Sequence, residues 1–479
     1  MIYTAINIGP IVHTLSLARK PRELWAASYL FSYLMHCIYD EVERLVGEDS
    51  IISPAKFDLR DDRKFATASL NARAVGLYPD RIYFKSEVDI KEVYDNVKRR
   101  ITLEHTEIPF EYFNIMAVSC ETDKDASAIN ALNRKLDTLE LFNVAPSFDA
   151  EEKIVQLLKA NTEEDGRSRA QSRLFEIATG ESTFEMRTLR QIARAGRQIQ
   201  ERSYDRYVCI VRADGDNVGK AVSNPSLPEG SVKTISQSLL DFGKRASIMI
   251  DGYGGMPLYA GGDDLLFIAP VVGNNPDENI FTLIEKLDEE AFEPVRKCIP
   301  NASLSFGVSC HFVKYPLYEM LQNSNYLLFG LAKHWHETMG PDGRTVSGPK
   351  NTIAWNLRKH SGGDFAFTFS MKDQELMPLL QKLIRETTDS ELISSVAHKI
   401  RQNEDLLKII LHNEPGRLDA FFERTLEFQD SVWFNTIKQL IPILYRNVGG
   451  NELTPSLYGM LRTAKFVRGE SVTDDLIDE

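Results

Sequence analysis

Apolar residues crowd Ile2 to Ile8 without a helical period and stop at Gly9-Pro10, which predicts a short strand. The stretch ELWAASYLFSYLMHCIYDEVERL repeats apolar positions every three or four residues and predicts a long helix. A turn within GLYPDRIYF leads into another strand, and Glu87 to His105 again has helical spacing. Together these predict a first α+β domain over residues 1–148. Between Ala150 and Ser182 the chain turns polar (NTEEDGRSRAQS), which predicts a connector over 149–203. A second α+β domain, 204–368, opens with RYVCIVRADGDNVGK, a strand from Arg206 to Ala213 that stops at Asp214. The loop SNPSLPEGS, a helix to about Ile250, a hairpin, a helix from about Asp277 to Lys297 and the strand ASLSFGVSCHF follow. The helix PLYEMLQNSNYLLFGLAKHW and a last strand near NTIAWNL complete it. Strand, helix, hairpin, helix, strand is the order of a ferredoxin-like palm. From Met371 onward helical periodicity is broken only at TTDS, NEPG, QDS and GGNELTP, so 369–479 is expected to be a helical domain. The fold class expected is α+β, with two ferredoxin-like palm domains and a C-terminal α-helical domain.

Composition narrows the class. With 479 residues and 43% hydrophobic content the chain can bury several cores. No apolar run approaches the ~20 residues of a membrane span, and MIYTAINIGP lacks the order of a signal peptide, so a cytoplasmic protein with no membrane partner is expected. The five cysteines form no Cys-x-x-Cys pair, which argues against a disulfide framework or structural zinc and predicts buried thiols. A net charge of -13 argues against a protein that simply coats nucleic acid. Any RNA contact must be local, and in MRTLRQIARAGRQIQER the residues Arg187, Arg190, Arg194 and Arg197 recur at helical spacing. They are either an RNA-contacting face or a solvated one.

The hairpin PLYAGGDDLLFIAP sets two aspartates at its tip. Gly-Gly and Gly-Asp pairs are ordinary turn chemistry, but two carboxylates on a rigid turn can also ligate divalent ions. In a palm the end of the first strand lies beside the hairpin tip, so Asp214 should meet Asp263 and Asp264. Carboxylates from two elements can bracket two Mg²⁺ or Mn²⁺ ions at the ~3.5–4 Å spacing of two-metal enzymes. Asp216 is either a fourth ligand or a turn residue. Gly261 and Gly262 would let a nucleotide approach, and Lys333 and Lys350 could deliver cations to a triphosphate. No His-Asp dipeptide occurs, so the paired metal step of an HD phosphohydrolase is missing; His334 and His336 are read as ordinary helix residues.

IGPIVHTLSLARKPRELWAASYLFSYL, STFEMRTLRQIA, RADGDNVGK, YAGGDDLLF, LSFGVSCHFVKYPLYEML and LAKHW occur in this order over most of residues 1–365. This set resembles the large palm-domain subunit of type III CRISPR-Cas effector complexes, and within it the III-B branch. The resemblance implies an enzyme that uses ATP and two metal ions to make an adenylate second messenger, a cyclic oligoadenylate, when its complex binds target RNA. It implies Asp263 and Asp264 as catalytic metal ligands with Asp214, and partners that are the other subunits, guide RNA and target RNA. It also implies that the first palm is non-catalytic and holds a second substrate, with Ser28 in that segment. Three departures stand out: no His-Asp nuclease motif, no cysteine zinc cluster between the palms, and Ala27-Ser28 where the family has Gly-Ser. Three alternatives stay open: transfer of AMP to S-adenosylmethionine as co-substrate, a stand-alone GGDEF-like cyclase, and a catalytically silent structural subunit.

Overall fold

The computed structural model describes residues 1–57, 63–86, 88–104, 108–141, 145–159, 169–181, 186–195, 197, 201–339, 345–346, 348–387, 390–425 and 432–469. Most of the polar run NTEEDGRSRAQS, and the ends Glu87 and His105 of one expected helix, lie outside the described residues.

The first sheet contains β1 (Ile2–Gly9), β2 (Ile51–Ser53), β3 (Arg81–Lys85) and β4 (Asn114–Glu121). Its order is β2-β3-β1-β4 with every neighbour antiparallel, the ferredoxin-like arrangement. β1 is central and buried on both faces, which is why its sequence shows an apolar run and no alternation. Tyr3 and Ala5 pack with Ala128, Leu132 and Leu136 of the helix Asp125–Glu140, whereas Ile6 and Ile8 face the helix Pro21–Val46. That long helix starts where Glu23 accepts the backbone N–H groups of Arg19 (2.8 Å) and Lys20 (3.2 Å) and Pro21 needs no partner. It stops at Gly47, whose φ is +80°.

The second sheet contains β5 (Tyr207–Asp216), β6 (Met256–Gly261), β7 (Asp264–Pro270) and β8 (Ser303–Phe312). After a small ribbon of β9 (Thr338–Met339) with β10 (Thr345–Val346), β11 (Thr352–Arg358) and β12 (Asp364–Ser370) extend it. The order is β12-β11-β8-β5-β7-β6, in which β8-β5-β7-β6 repeats the arrangement of the first sheet and β11 runs parallel to β8. Two expectations are corrected: β5 continues past Asp214 to Asp216, and β12, which was not foreseen, crosses the expected boundary at 368.

The three parts share their cores. Val208, Ile210, Met256, Leu258, Leu266 and Ile268 on one face of the second sheet pack in the same cluster as the helix Pro21–Val46. On the other face Cys209, Val211 and Phe267 join a cluster that includes Leu380, Ile437, Leu440 and Leu457 of the C-terminal helices. The expected connector is no linker either: its helix Phe148–Leu158 buries Ile154 and Leu157, and Leu174 and Phe175 follow them into the first core. The apolar faces of LMPLLQKLIRE and WFNTIKQLIPILY, which suggested docking onto other helical subunits, are largely consumed inside the chain. Cys37, Cys209 and Cys310 are buried as expected, while Cys298 is exposed. Among the described residues no helix is long and apolar enough to cross a membrane.

Candidate active site

β6 and β7 pair up to Gly261 opposite Asp264, which leaves Gly262-Asp263 as a two-residue loop. Only Gly262 of the two has a positive φ, +66°, as a hairpin turn with glycine at its first central position requires. The tip leans against the end of β5. A Cβ added to Gly215 would lie 2.6 Å from Asp263 Oδ2 and 2.7 Å from its Cβ, so the missing side chain is what admits Asp263 there. Asp263 and Asp264 both feel the charge of Asp214, which adds to burial in raising the pKa of each. The structure therefore gathers Asp214, Asp263 and Asp264 on one surface, as the topology predicted.

Asp216 has a different job. Its side chain is fully buried, and Oδ2 accepts from Ser303 Oγ (2.9 Å), Ser305 Oγ (2.8 Å) and the Asn351 N–H (2.9 Å). Oδ1 accepts from Lys333 Nζ at 2.7 Å. With both oxygens occupied, Asp216 is a strut that ties β5 to β8 and to the start of β11, and it lies in the strand, which corrects its reading as a turn residue. Lys333 is correspondingly tethered, for Nζ also donates to the Asp214 and Gly215 carbonyls at 2.8 and 3.0 Å and forms an ion pair with the Asp214 carboxylate. Lys350 donates to the Lys333 carbonyl at 2.7 Å and so braces the lysine. His334 closes a short 3-10 turn and His336 lies beyond it with φ +53°, so neither sits in a regular α-helix.

Burial, then the charge of Asp214, pushes the pKa of Asp263 up to about 7. Asp264 keeps solvent contact on one side, yet the protein packed round it and the Asp214 and Asp263 carboxylates raise it well above the usual range. Lys333 is the cation that opposes this crowding. Among the described residues no three His, Cys, Asp or Glu side chains form a ready metal cage. The donor set nevertheless suits a hard divalent ion, since it is all carboxylate oxygen and carries repelling charge that such an ion would neutralise.

Beside the carboxylates a cavity of about 230 Å³ opens between the two α+β units, lined among others by Ser28, Tyr78, Asp80, Arg212, Tyr259 and Asp264. Ser28 is present as expected, though its hydroxyl donates to the Leu258 carbonyl at 3.2 Å. Tyr78, Asp80, Arg212 and Tyr259 were missed. Arg212 was findable, because it lies two residues from Asp214 on a strand and so shares its face. Tyr78 and Asp80 come from the first unit, where no local pattern marks them. The arginine stripe is corrected: the helix there spans only Leu189–Ala193. Arg187 holds Asp251 and the Gly254 carbonyl, Arg194 pairs with Glu201, and Arg197 is bound to Asp205 and the Val272 and Gly273 carbonyls. Arg190 alone of the four is exposed.

Comparison with known proteins places family matches on both units. The second palm domain of Cas10/Cmr2 matches residues 207–338, and the N-terminal domain of the CRISPR-associated protein Cmr2 matches residues 3–108. A curated relative, CRISPR system Cmr subunit Cmr2 of Pyrococcus furiosus, is 26% identical over 305 residues, 56% of this chain. The chain spans about a third of that relative, 32% of its length. Among solved structures, a type III-B Cmr-beta complex bound to cognate target RNA matches 97% of this chain and 83% of its own at TM-score 0.63 and 12% identity. A Csm1-Csm4 cassette in complex with AMPPNP matches 97% of this chain and 70% of its own at TM-score 0.54 and 12% identity, a likeness of fold. The two matches fall on the two sheets in chain order, so each α+β unit is similar to a domain of Cas10/Cmr2, the large subunit of type III CRISPR complexes.

Proposed function

We propose that this chain is a target-RNA-activated nucleotidyltransferase that makes an adenylate second messenger, a cyclic oligoadenylate, from ATP. The observation that carries this reading is the meeting of Asp214 with Asp263 and Asp264 at the mouth of a cavity that Ser28 also lines. The reaction joins an acceptor hydroxyl to the α-phosphorus of ATP and releases pyrophosphate. A divalent ion, Mg²⁺ or Mn²⁺, held by Asp214, Asp263 and Asp264 would neutralise the phosphates and the departing pyrophosphate. Lys333, fixed by the Asp216 strut, orients Asp214 and limits the charge of the carboxylate group. The side-chain-free turn at Gly261 and Gly262 leaves room for a nucleotide at the tip. The first unit acts as a second, non-catalytic palm whose Ser28, Tyr78 and Asp80 wall the acceptor's side of the cavity. The relatives' solved complexes, one bound to target RNA and one to AMPPNP, support RNA-guided partners and an ATP-like substrate.

The test is mass spectrometry of products from the assembled complex with guide and target RNA, given ATP with and without S-adenosylmethionine. Asp263→Asn with Asp264→Asn is expected to abolish product while assembly and RNA binding persist. Normal turnover by this variant would reject the site. A product containing S-adenosylmethionine would keep the site and change the acceptor.

A further inference from the structure

At the opposite end of β5 from the carboxylates lies a cleft of about 610 Å³, within the roughly 300–1,000 Å³ of ligand sites. Arg206 precedes β5 and Asp214 lies eight residues on, so at ~3.3 Å per residue the cleft and the carboxylates are roughly 25 Å apart. The walls come from separate segments: the turn at Arg19 and Lys20 that opens the long helix, the segment from Met186 to Arg190, Arg206, and Phe312 to Lys314 at the end of β8.

Arg19, Lys20, Arg190 and Lys314 are exposed, and none forms an ion pair among the described residues. The acids in the wall are already engaged: Asp205 is bound to Arg197, and Glu201 lies 3.3 Å from both Arg194 and Arg206. Arg19 sits over the Tyr318 ring at 4.8 Å and donates to the Ser16 and Ala18 carbonyls, which holds it in place and leaves its charge unopposed. Four uncompensated cations facing one cavity in a chain of net charge -13 are a local exception. Beneath them the wall is apolar, with Met186, Leu189, Phe312 and Val313.

We infer that this cleft binds the phosphodiester backbone of a single-stranded nucleic acid. Phosphates meet the Arg19, Lys20, Arg190 and Lys314 rim, and a base lies on the apolar floor beside Phe312. A cationic rim over an apolar, partly aromatic floor fits a polymer that alternates charge with a flat ring. An acidic peptide offers the charge without the ring. The site is separate from adenylyl transfer, so its test needs no nucleotide product.

The experiment uses the full chain at low salt with fluorescein-labelled 12-residue single strands of RNA and of DNA, and a polyglutamate peptide as competitor, read by anisotropy. Lys20→Glu, Arg190→Glu and Lys314→Glu combined should weaken RNA binding at least tenfold. At about 0.7 per contact in single strands, the combined variant should also flatten the log–log salt dependence by about 2. All three residues are surface residues, and thermal melting checks that the variant folds; the single variants, each expected to lose several-fold, serve if it does not. In a parallel measurement, 4-thiouridine RNA should crosslink to peptides containing Met186 or Phe312. Equal loss for DNA supports a backbone site indifferent to the sugar. Unchanged binding by the variants, crosslinks confined to other segments, or displacement of RNA by polyglutamate at equal charge concentration would overturn the assignment.

Discussion

Asp216, buried, and Asp263, half-buried, are both carboxylates near one lysine, but their surroundings give them opposite effects on stability. Asp216 accepts four hydrogen bonds, from Ser303, Ser305, Asn351 and Lys333, so its charge is compensated. Asp263 is surrounded by like charge, with Asp214 as the strongest neighbour. Removing one partner of a buried network strands the others, at roughly 3–5 kcal/mol. Asp216→Ala should therefore lower the unfolding midpoint by several degrees and also cost activity, because Lys333 loses its anchor. Asp263→Asn should leave the midpoint equal or higher, since it relieves repulsion. Paired thermal melts decide: equal destabilisation by both substitutions would show that Asp216 is no strut. The sequence ADGDNVG already held this distinction in part. Its period of two places Asp214 and Asp216 on one face of a strand, but the serines of β8 that claim Asp216 lie about ninety residues away.

The helix Ile280–Lys286 runs on through a wider π turn, Leu287–Ala291, where the sequence predicted one continuous helix. It packs against Leu376–Glu386, and Asn279 and Gln381 hydrogen-bond across the contact at 2.7 Å. Glu285 lies on this seam, where burial and then Glu289 raise its pKa from 4.5 to about 7. A raised acid favours the folded state fully below its unfolded pKa and loses that advantage as pH rises through the folded value. The folded protein thus carries an unfavourable charge above pH 7, and the effect disappears toward pH 4.5. Glu285→Gln, which mimics the protonated acid, should stabilise by about 1 kcal/mol at pH 8, after discounting for solvent, and by little at pH 5. Melts of both proteins at the two pH values check this, and an equal difference at both would reject it. Elements like these show what was legible. Strands and helices with one dominant period were readable, including the hairpin and both crossovers of the second unit. β4 and β12 were missed; DFAFTFS alternates apolar and polar positions, but it follows directly on the polar turn KHSGG at the expected domain boundary. The helix Arg169–Thr179 was missed because its apolar residues sit within a polar segment and acquire their partners only from tertiary packing.

On the scale of the whole molecule, the two faces of the second sheet are each completed by a different part of the chain, and this makes the parts interdependent. Sequence periodicity located the C-terminal helices but could not show what their apolar faces cover, since periodicity names a face and not its partner. The structure gives the partner. Trp355 Nε1 donates to Thr463 Oγ1 at 3.0 Å, and Arg462 sits over the Phe365 ring at 4.9 Å. The Gly459 position lies so close to the Ala366 carbonyl that an added Cβ would be 2.3 Å from it. Phe281, Trp355, Phe365, Phe367 and Phe369 all belong to the cluster these helices close. Such side chains bury roughly 150–250 Å² each, so at ~25 cal/mol per Å² even half exposure of this set costs roughly 10 kcal/mol. That is the size of a domain's entire stability. Deleting residues 371–479 should therefore unfold or aggregate the second sheet as well, and abolish any activity of the carboxylate site for that reason. The full chain should melt in a single transition that includes the near-ultraviolet signal of Trp355. The check is to express the truncation beside the full chain and compare solubility and melting, with limited proteolysis of the full chain. A soluble truncation that melts cooperatively near the full chain's midpoint, or a stable proteolytic fragment ending near 370, would show that the helices are a separate domain resting on a self-sufficient sheet.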